Sequence, residues 1–118
     1  MLTVTASFPP RVRAGERATF AAAVTVRNDT GRRVEGLAAS RPDLWLEQGG
    51  EVVAPPLPRD DVGLVLDLAP GAARVLDAEG SLLDVDGQPL PAGRYEVRAV
   101  LRVGETVSVG GPWPLELS

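Results

Sequence analysis

Histidine and cysteine are both absent from this sequence, so the chemistry open to its side chains is narrow from the outset. A serine–histidine or cysteine–histidine apparatus is ruled out, as are disulfides, thiolate zinc sites and iron–sulfur clusters. Paired carboxylates remain, at Asp60-Asp61, Asp77/Glu79 and Asp84/Asp86. Acid–base work by two carboxyls needs a desolvated cleft and a set separation. All three pairs fall in or beside polar turns, so no enzymatic activity is expected. Asp84-Val85-Asp86-Gly87 is a fragment of an acid-rich calcium loop that lacks the later ligands and the closing bidentate glutamate. It reads as a turn in which Asp86-Gly87 supplies the special backbone angles. Neither a metal nor a cofactor is expected.

Three other features could make contacts. The segment Pro55-Pro56-Leu57-Pro58-Arg59-Asp60-Asp61 is stiffened towards an extended conformation by three prolines, which would hold Leu57 or Arg59 away from the body. A loop that binds like a substrate needs such rigidity, because rigidity reduces the entropy lost on binding. The plainer reading is a proline-rich crossing between sheets that blocks edge pairing. Arg94, Arg98 and Arg102 line up at every other or every fourth position with Glu96 between them. They form either a surface for an acidic partner or a solvated row that keeps a sheet soluble. Trp45 and Trp113 are the only tryptophans. Trp45 sits between two leucines and is either a core plug or an exposed contact. Trp113, between Pro112 and Pro114, is expected to seal one end of the core.

These residues need a scaffold, and alternation with period two supplies it. Ala18, Phe20, Ala22, Val24 and Val26 share one face of a strand that ends at the turn-forming cluster Asn28-Asp29-Thr30-Gly31. Tyr95, Val97, Ala99, Leu101 and Val103 face inward on a second strand, with Arg94, Glu96, Arg98 and Arg102 outward and Val100 the one break. Gly104-Glu105 then turns into Thr106–Val109, a hairpin. Shorter candidates are Val34–Ala38, Leu44–Gln48, Glu51–Ala54, Leu64–Leu68 and Arg74–Ala78, with a two-residue hairpin at Gln48-Gly49-Gly50-Glu51. Leu2–Phe8 opens the chain and Trp113–Leu117 closes it. No window carries a helical stripe free of glycine or proline.

Composition fits that reading. The 118 residues, 44% apolar and 24% charged, suit one domain over 1–118 with its own core. A net charge of −4 argues against electrostatic affinity for nucleic acid or anionic membrane. All 12 basic residues are arginine, and lysine and isoleucine are missing. With so much Ala, Val, Gly and Pro, this is the mark of a GC-rich bacterial genome. Met1-Leu2-Thr3-Val4 lacks the basic and long apolar regions of a signal peptide, and Phe20–Val24 is too short to span a bilayer. No membrane insertion by this chain is expected, and the cell envelope or exterior is favoured over the cytoplasm.

Four stretches carry a resemblance: Val24-Thr25-Val26-Arg27-Asn28, Gln48-Gly49-Gly50-Glu51-Val52, Leu68-Ala69-Pro70-Gly71 and Leu90-Pro91-Ala92-Gly93-Arg94-Tyr95. In order and spacing, over about two thirds of the chain, they resemble bacterial immunoglobulin-like domains, most closely the intracellular proteinase inhibitor family of bacilli. The expectation is therefore an all-β, immunoglobulin-like antiparallel β-sandwich of about eight or nine strands. Its expected role is a non-enzymatic bacterial module for contact with another protein or for structural spacing. The resemblance implies a first alternative, a protease inhibitor with Arg59 as its specificity residue. The second alternative, a carbohydrate-binding sandwich, needs exposed aromatics, for which only Trp45, Trp113 and Tyr95 are available. Leu57, Arg59, Trp45, Arg94, Arg98 and Arg102 are the contact candidates.

Overall fold

Strands account for most of the chain because apolar and polar residues alternate through it. In a computed structural model, which describes residues 2–58 and 63–118, the elements are β1 (Thr3–Ser7), β2 (Arg11–Val12), β3 (Thr19–Arg27), β4 (Val34–Ala39), β5 (Asp43–Gln48), β6 (Glu51–Ala54), β7 (Gly63–Leu68), β8 (Ala73–Ser81), β9 (Gly93–Val103) and β10 (Thr106–Leu117). Among the described residues there is no helix, so none that is long and apolar enough to cross a membrane.

The strands form two sheets. The smaller has the order β1-β3-β8. The larger runs β2-β10-β9-β4-β7, with β5 pairing β9 on the β4 side and β6 pairing β5. The inner faces share one core, in which Val24, Val26, Leu46, Leu66, Val97 and Ala99 are completely buried. All five inward residues expected on β9, from Tyr95 to Val103, are buried. So are Phe20, Ala22, Val24 and Val26 of β3, while Ala18 lies just outside the strand and is exposed.

Three pairs of segments each continue one line of chain. β4 and β5 pair successive parts of β9: Ala38 faces Val103, and Asp43 to Glu47 face Val100 to Glu96. β6 and β7 run beside them in the reverse order, β6 beside β5 with Val52 opposite Glu47, and β7 beside β4 with Gly63 opposite Ala39. β1 pairs β3 antiparallel, then the chain crosses over and β2 pairs β10 in parallel. A proline marks each break, at Pro9-Pro10, at Pro42 and at Pro55-Pro56 with Pro58, because proline cannot donate to a ladder. Among the described residues the ten segments thus follow seven lines, three in the smaller sheet and five in the larger, the first counted in both.

Two details of pairing differ from the sequence reading. Thr106–Val109 and Trp113–Leu117 belong to one strand, β10, whose register against β9 shifts between Gly110 and Trp113. The bulge needs its glycines: Gly111 has φ +93°, and a Cβ on Gly110 would stand 2.5 Å from the Val4 carbonyl oxygen. Arg11–Val12 also forms a short strand that alternation did not reveal. The Gln48–Glu51 hairpin has the expected two-residue loop, with both glycines at positive φ.

A wholly buried polar side chain, Asn28, supports this frame. The Asn28 amide donates to the Leu68 carbonyl at 2.9 Å and to the Arg32 carbonyl, while its oxygen accepts from the Thr30 N–H and hydroxyl. It ties the end of β3 to the end of β7 with its donors and acceptor satisfied.

Candidate functional site

Alternation on β9 sends Arg94, Glu96, Arg98, Val100 and Arg102 to the outer face of the larger sheet. Residues directly opposite one another in antiparallel strands share a face. That rule brings Trp45 beside Arg98, Asp43 beside Val100 and Glu47 beside Glu96 from β5, and Val107 beside Arg102 and Val109 beside Val100 from β10. Leu37 and Val65 face each other at the β4–β7 end, and Val52 lies next to Glu47.

The centre of this face is closed by one carboxylate. Glu47 Oε2 accepts from Arg98 Nε at 2.7 Å and from Trp45 Nε1 at 2.8 Å. The Glu47 side chain is only 12% exposed and that of Arg98 33%, so the pair is partly desolvated and stronger than a surface ion pair. Trp45 is half-buried, its indole N–H taken. The three predicted arginines therefore differ. Arg98 is engaged within the sheet, so the stripe is not a uniform row of solvated charge. Arg94 and Arg102 are exposed at its ends.

Apolar exposure is concentrated on the same face. Of the seven large hydrophobic residues that are exposed among the described residues, Leu37, Val52, Val65, Val107 and Val109 lie here. Val75 belongs to the smaller sheet and Val85 to a turn. Sequence reasoning missed these residues because each, taken alone, reads as an ordinary outward position of a strand. Only the register shows that they converge.

The other predicted features fall elsewhere. Leu57 is half-buried and helps wall a cavity of about 180 Å³ with Arg41, Leu44 and Glu79. It turns towards the body, contrary to the expectation that proline stiffness would hold it away. Arg59 lies outside the described residues, as do Asp60 and Asp61. Trp113 faces inward and packs edge-on to Phe8 with ring centroids 6.5 Å apart, and Phe8 in turn meets Phe20 at 5.8 Å. It is partly buried against the core. Asp84 closes its turn, its Oδ1 accepting from the N–H groups of Asp86 and Gln88, with Gly87 at φ +77°. Among the described residues no group of acidic side chains is arranged to hold a metal ion.

Tyr95 is buried, and its hydroxyl donates to the Pro91 carbonyl at 2.7 Å. Burial pushes its phenol above the ordinary value of 10.0.

No protein-family profile and no curated protein matches this chain. Solved structures do. A β-glucosidase from Listeria innocua in complex with glucose is similar over 99% of this chain at 14% identity, with a TM-score of 0.51. A β-glucosidase from Erythrobacter marinus is similar over 98% at 17% identity, with a TM-score of 0.50. The chain spans 16% and 15% of those two proteins' lengths. At these identities the likeness concerns the fold alone.

Proposed function

We propose that this chain is an immunoglobulin-like β-sandwich acting as a non-enzymatic module of a bacterial protein, and that it binds another protein through the outer face of its larger sheet. The fold reading is supported by the division of seven lines of chain between two sheets. Tyr95 adds to it, since a tyrosine near the start of a late strand that bonds back to a backbone carbonyl upstream is a recurrent corner of this fold. The match to about one sixth of much longer chains suits a module. The β-glucosidase activity of those proteins does not carry over, because fold does not fix function.

The binding reading rests on one observation: five of the seven exposed large apolar side chains converge on one sheet face, around a half-buried tryptophan and between two exposed arginines. Exposed apolar side chains gathered around an internally paired Glu47 and Arg98, with arginines at the ends, have the composition of a protein interface. Neither alternative gains support. Leu57 turns into a cavity and Arg59 lies outside the described residues, so an inhibitory loop has no described geometry behind it. Carbohydrate stacking needs an exposed ring, and none of the five aromatic residues is exposed.

A photo-crosslinking amino acid placed at Val109, Val107 or Leu37 tests the proposal in extracts of the source bacterium. One discrete adduct shared by these positions, competed by unlabelled protein and missing from a Val85 control, is expected. Equal labelling from Val85, or adducts that the parent protein does not compete, refutes the face.

A further inference from the structure

The four sheet edges are protected unequally. β2 is two residues long and follows Pro9-Pro10, and the β6–β7 edge is interrupted by Pro55, Pro56 and Pro58. β1 leans on β10, where the Leu2 N–H donates to Ser108 Oγ at 3.0 Å. β8 packs on β5 across the core, but its outer edge has neither proline nor a pairing strand among the described residues. It runs nine residues without a register shift. Such an edge is a template for another strand.

The hydrogen-bond phase says which groups it offers. Leu82 N–H donates to the Ala18 carbonyl, and Asn28 N–H to the Ala72 carbonyl, at the two ends of the β3–β8 ladder. Hydrogen-bonded pairs alternate along an antiparallel ladder, so Arg74, Leu76, Ala78 and Gly80 spend their backbone groups on β3. Ala73, Val75, Asp77 and Glu79 point theirs outward. Three of the latter carry the exposed side chains Val75, Asp77 and Glu79. The two carboxylates stand opposite Ala23 and Ala21, and no ion pair among the described residues involves either. Arg27, the base on this face of the paired strands, is at the far end, opposite Ala73.

We infer that the free edge of β8 takes an extended segment of another polypeptide by strand addition, one with basic residues at the alternate positions opposite Asp77 and Glu79 and an apolar residue opposite Val75. The backbone of β8 supplies affinity, and the unneutralised carboxylates choose the partner. A second copy of this chain fits poorly, since two β8 edges would bring four carboxylates along one seam. At the Glu79 end the edge borders the cavity walled by Arg41, Leu44 and Leu57. This surface is distinct from the outer face of the larger sheet and stands or falls separately.

The test is an amide NMR titration of the full chain with the capped peptide Thr-Arg-Val-Arg-Ala-Val-Glu-Thr, written to lie antiparallel to β8. Binding should shift the Ala73, Val75, Asp77 and Glu79 amides and slow their exchange, which is fast without peptide. Exchanging the peptide's arginines for glutamates, or using the D77N/E79Q variant, should weaken binding about tenfold, as two lost charge pairs allow. Val75→Pro removes an outward N–H and no β3 ladder bond, so it should abolish binding while the Leu76 and Ala78 amides stay protected. The inference is overturned if the outward amides are already protected without peptide, or if millimolar peptide causes no shift. Shifts that map to Arg98 and Trp45, or a Val75→Pro variant that binds as well as the parent, overturn it too.

Discussion

Replacing Glu47 with alanine takes away the one carboxylate that holds the centre of the outer face together. Its Oε2 accepts from Arg98 Nε at 2.7 Å and from Trp45 Nε1 at 2.8 Å, so the truncation strips two donors at once. An exposed ion pair is worth about 0.2–1 kcal/mol, and breaking a fully buried one costs about 3–5 kcal/mol. Exposures of 12% for Glu47 and 33% for Arg98 lie between those cases. A loss of about 2 kcal/mol is expected, part of it the cost of leaving a half-buried guanidinium unpaired. For a chain of this length that corresponds to a fall in Tm of roughly 8 °C. Arg98→Met completes a double-mutant cycle, with an expected coupling energy of about 1–1.5 kcal/mol. Urea denaturation at a common m-value measures it. In a Trp113→Phe background only Trp45 emits, and Glu47→Ala should shift its emission to the red as the freed indole meets water. A coupling below about 0.3 kcal/mol, with Trp45 emission unmoved, would refute the view that Glu47 organises this face.

Three further outcomes follow from the core and its corner. Tyr95→Phe keeps the buried ring but loses the bond to the Pro91 carbonyl, for an expected cost of about 1 kcal/mol in the same denaturation assay. Alkaline titration should lower the protein's stability through the same residue. Burial raises the Tyr95 pKa above 10.0, so the fold favours the neutral phenol. That stabilisation is complete below the unfolded pKa and is lost as pH climbs through the folded one, whereas Tyr95→Phe should flatten the decline. Gly80 faces Phe20 across the β3–β8 ladder, and a Cβ there would stand 2.2 Å from the ring. Gly80→Ala should therefore cost about 1–3 kcal/mol by overpacking. Phe20→Leu in the same chain should recover part of it, as a thermal melt would show.

Alternation made the strands legible. A residue's burial on a half-buried strand depends on local parity, so β3 and β9 could be read almost to the residue from Phe20–Val26 and Tyr95–Val103. Pairing is set by non-local contact, and there the sequence said less. Thr106–Val109 and Trp113–Leu117 look like two strands because Gly110-Gly111-Pro112 interrupts the pattern, yet both halves pair with β9. The partial burial of Arg98 was hidden for the same reason. Its fate depends on Glu47, 51 positions away along the chain and two residues from Trp45, the residue opposite it on β5. Leu57 misled in a different way, since proline stiffness fixes the course of a backbone but not the side to which a leucine turns.

The two proposed surfaces sit at the same divide between parity and pairing. Val107, Val109, Leu37 and Val65 each satisfy the alternation rule singly, and an isolated exposed valine means nothing. They become a patch only when β4, β7, β9 and β10 are placed side by side. The β8 edge is still further from the sequence, because Arg74–Ala78 reads like any other short strand. What distinguishes it is a neighbour on one side only, together with a ladder phase that turns the backbone groups of Val75, Asp77 and Glu79 outward along with their exposed side chains. Both proposals rest on backbone groups and surface side chains brought together by the sheets. Their placement is fixed by how the strands pair, which no single strand's composition records.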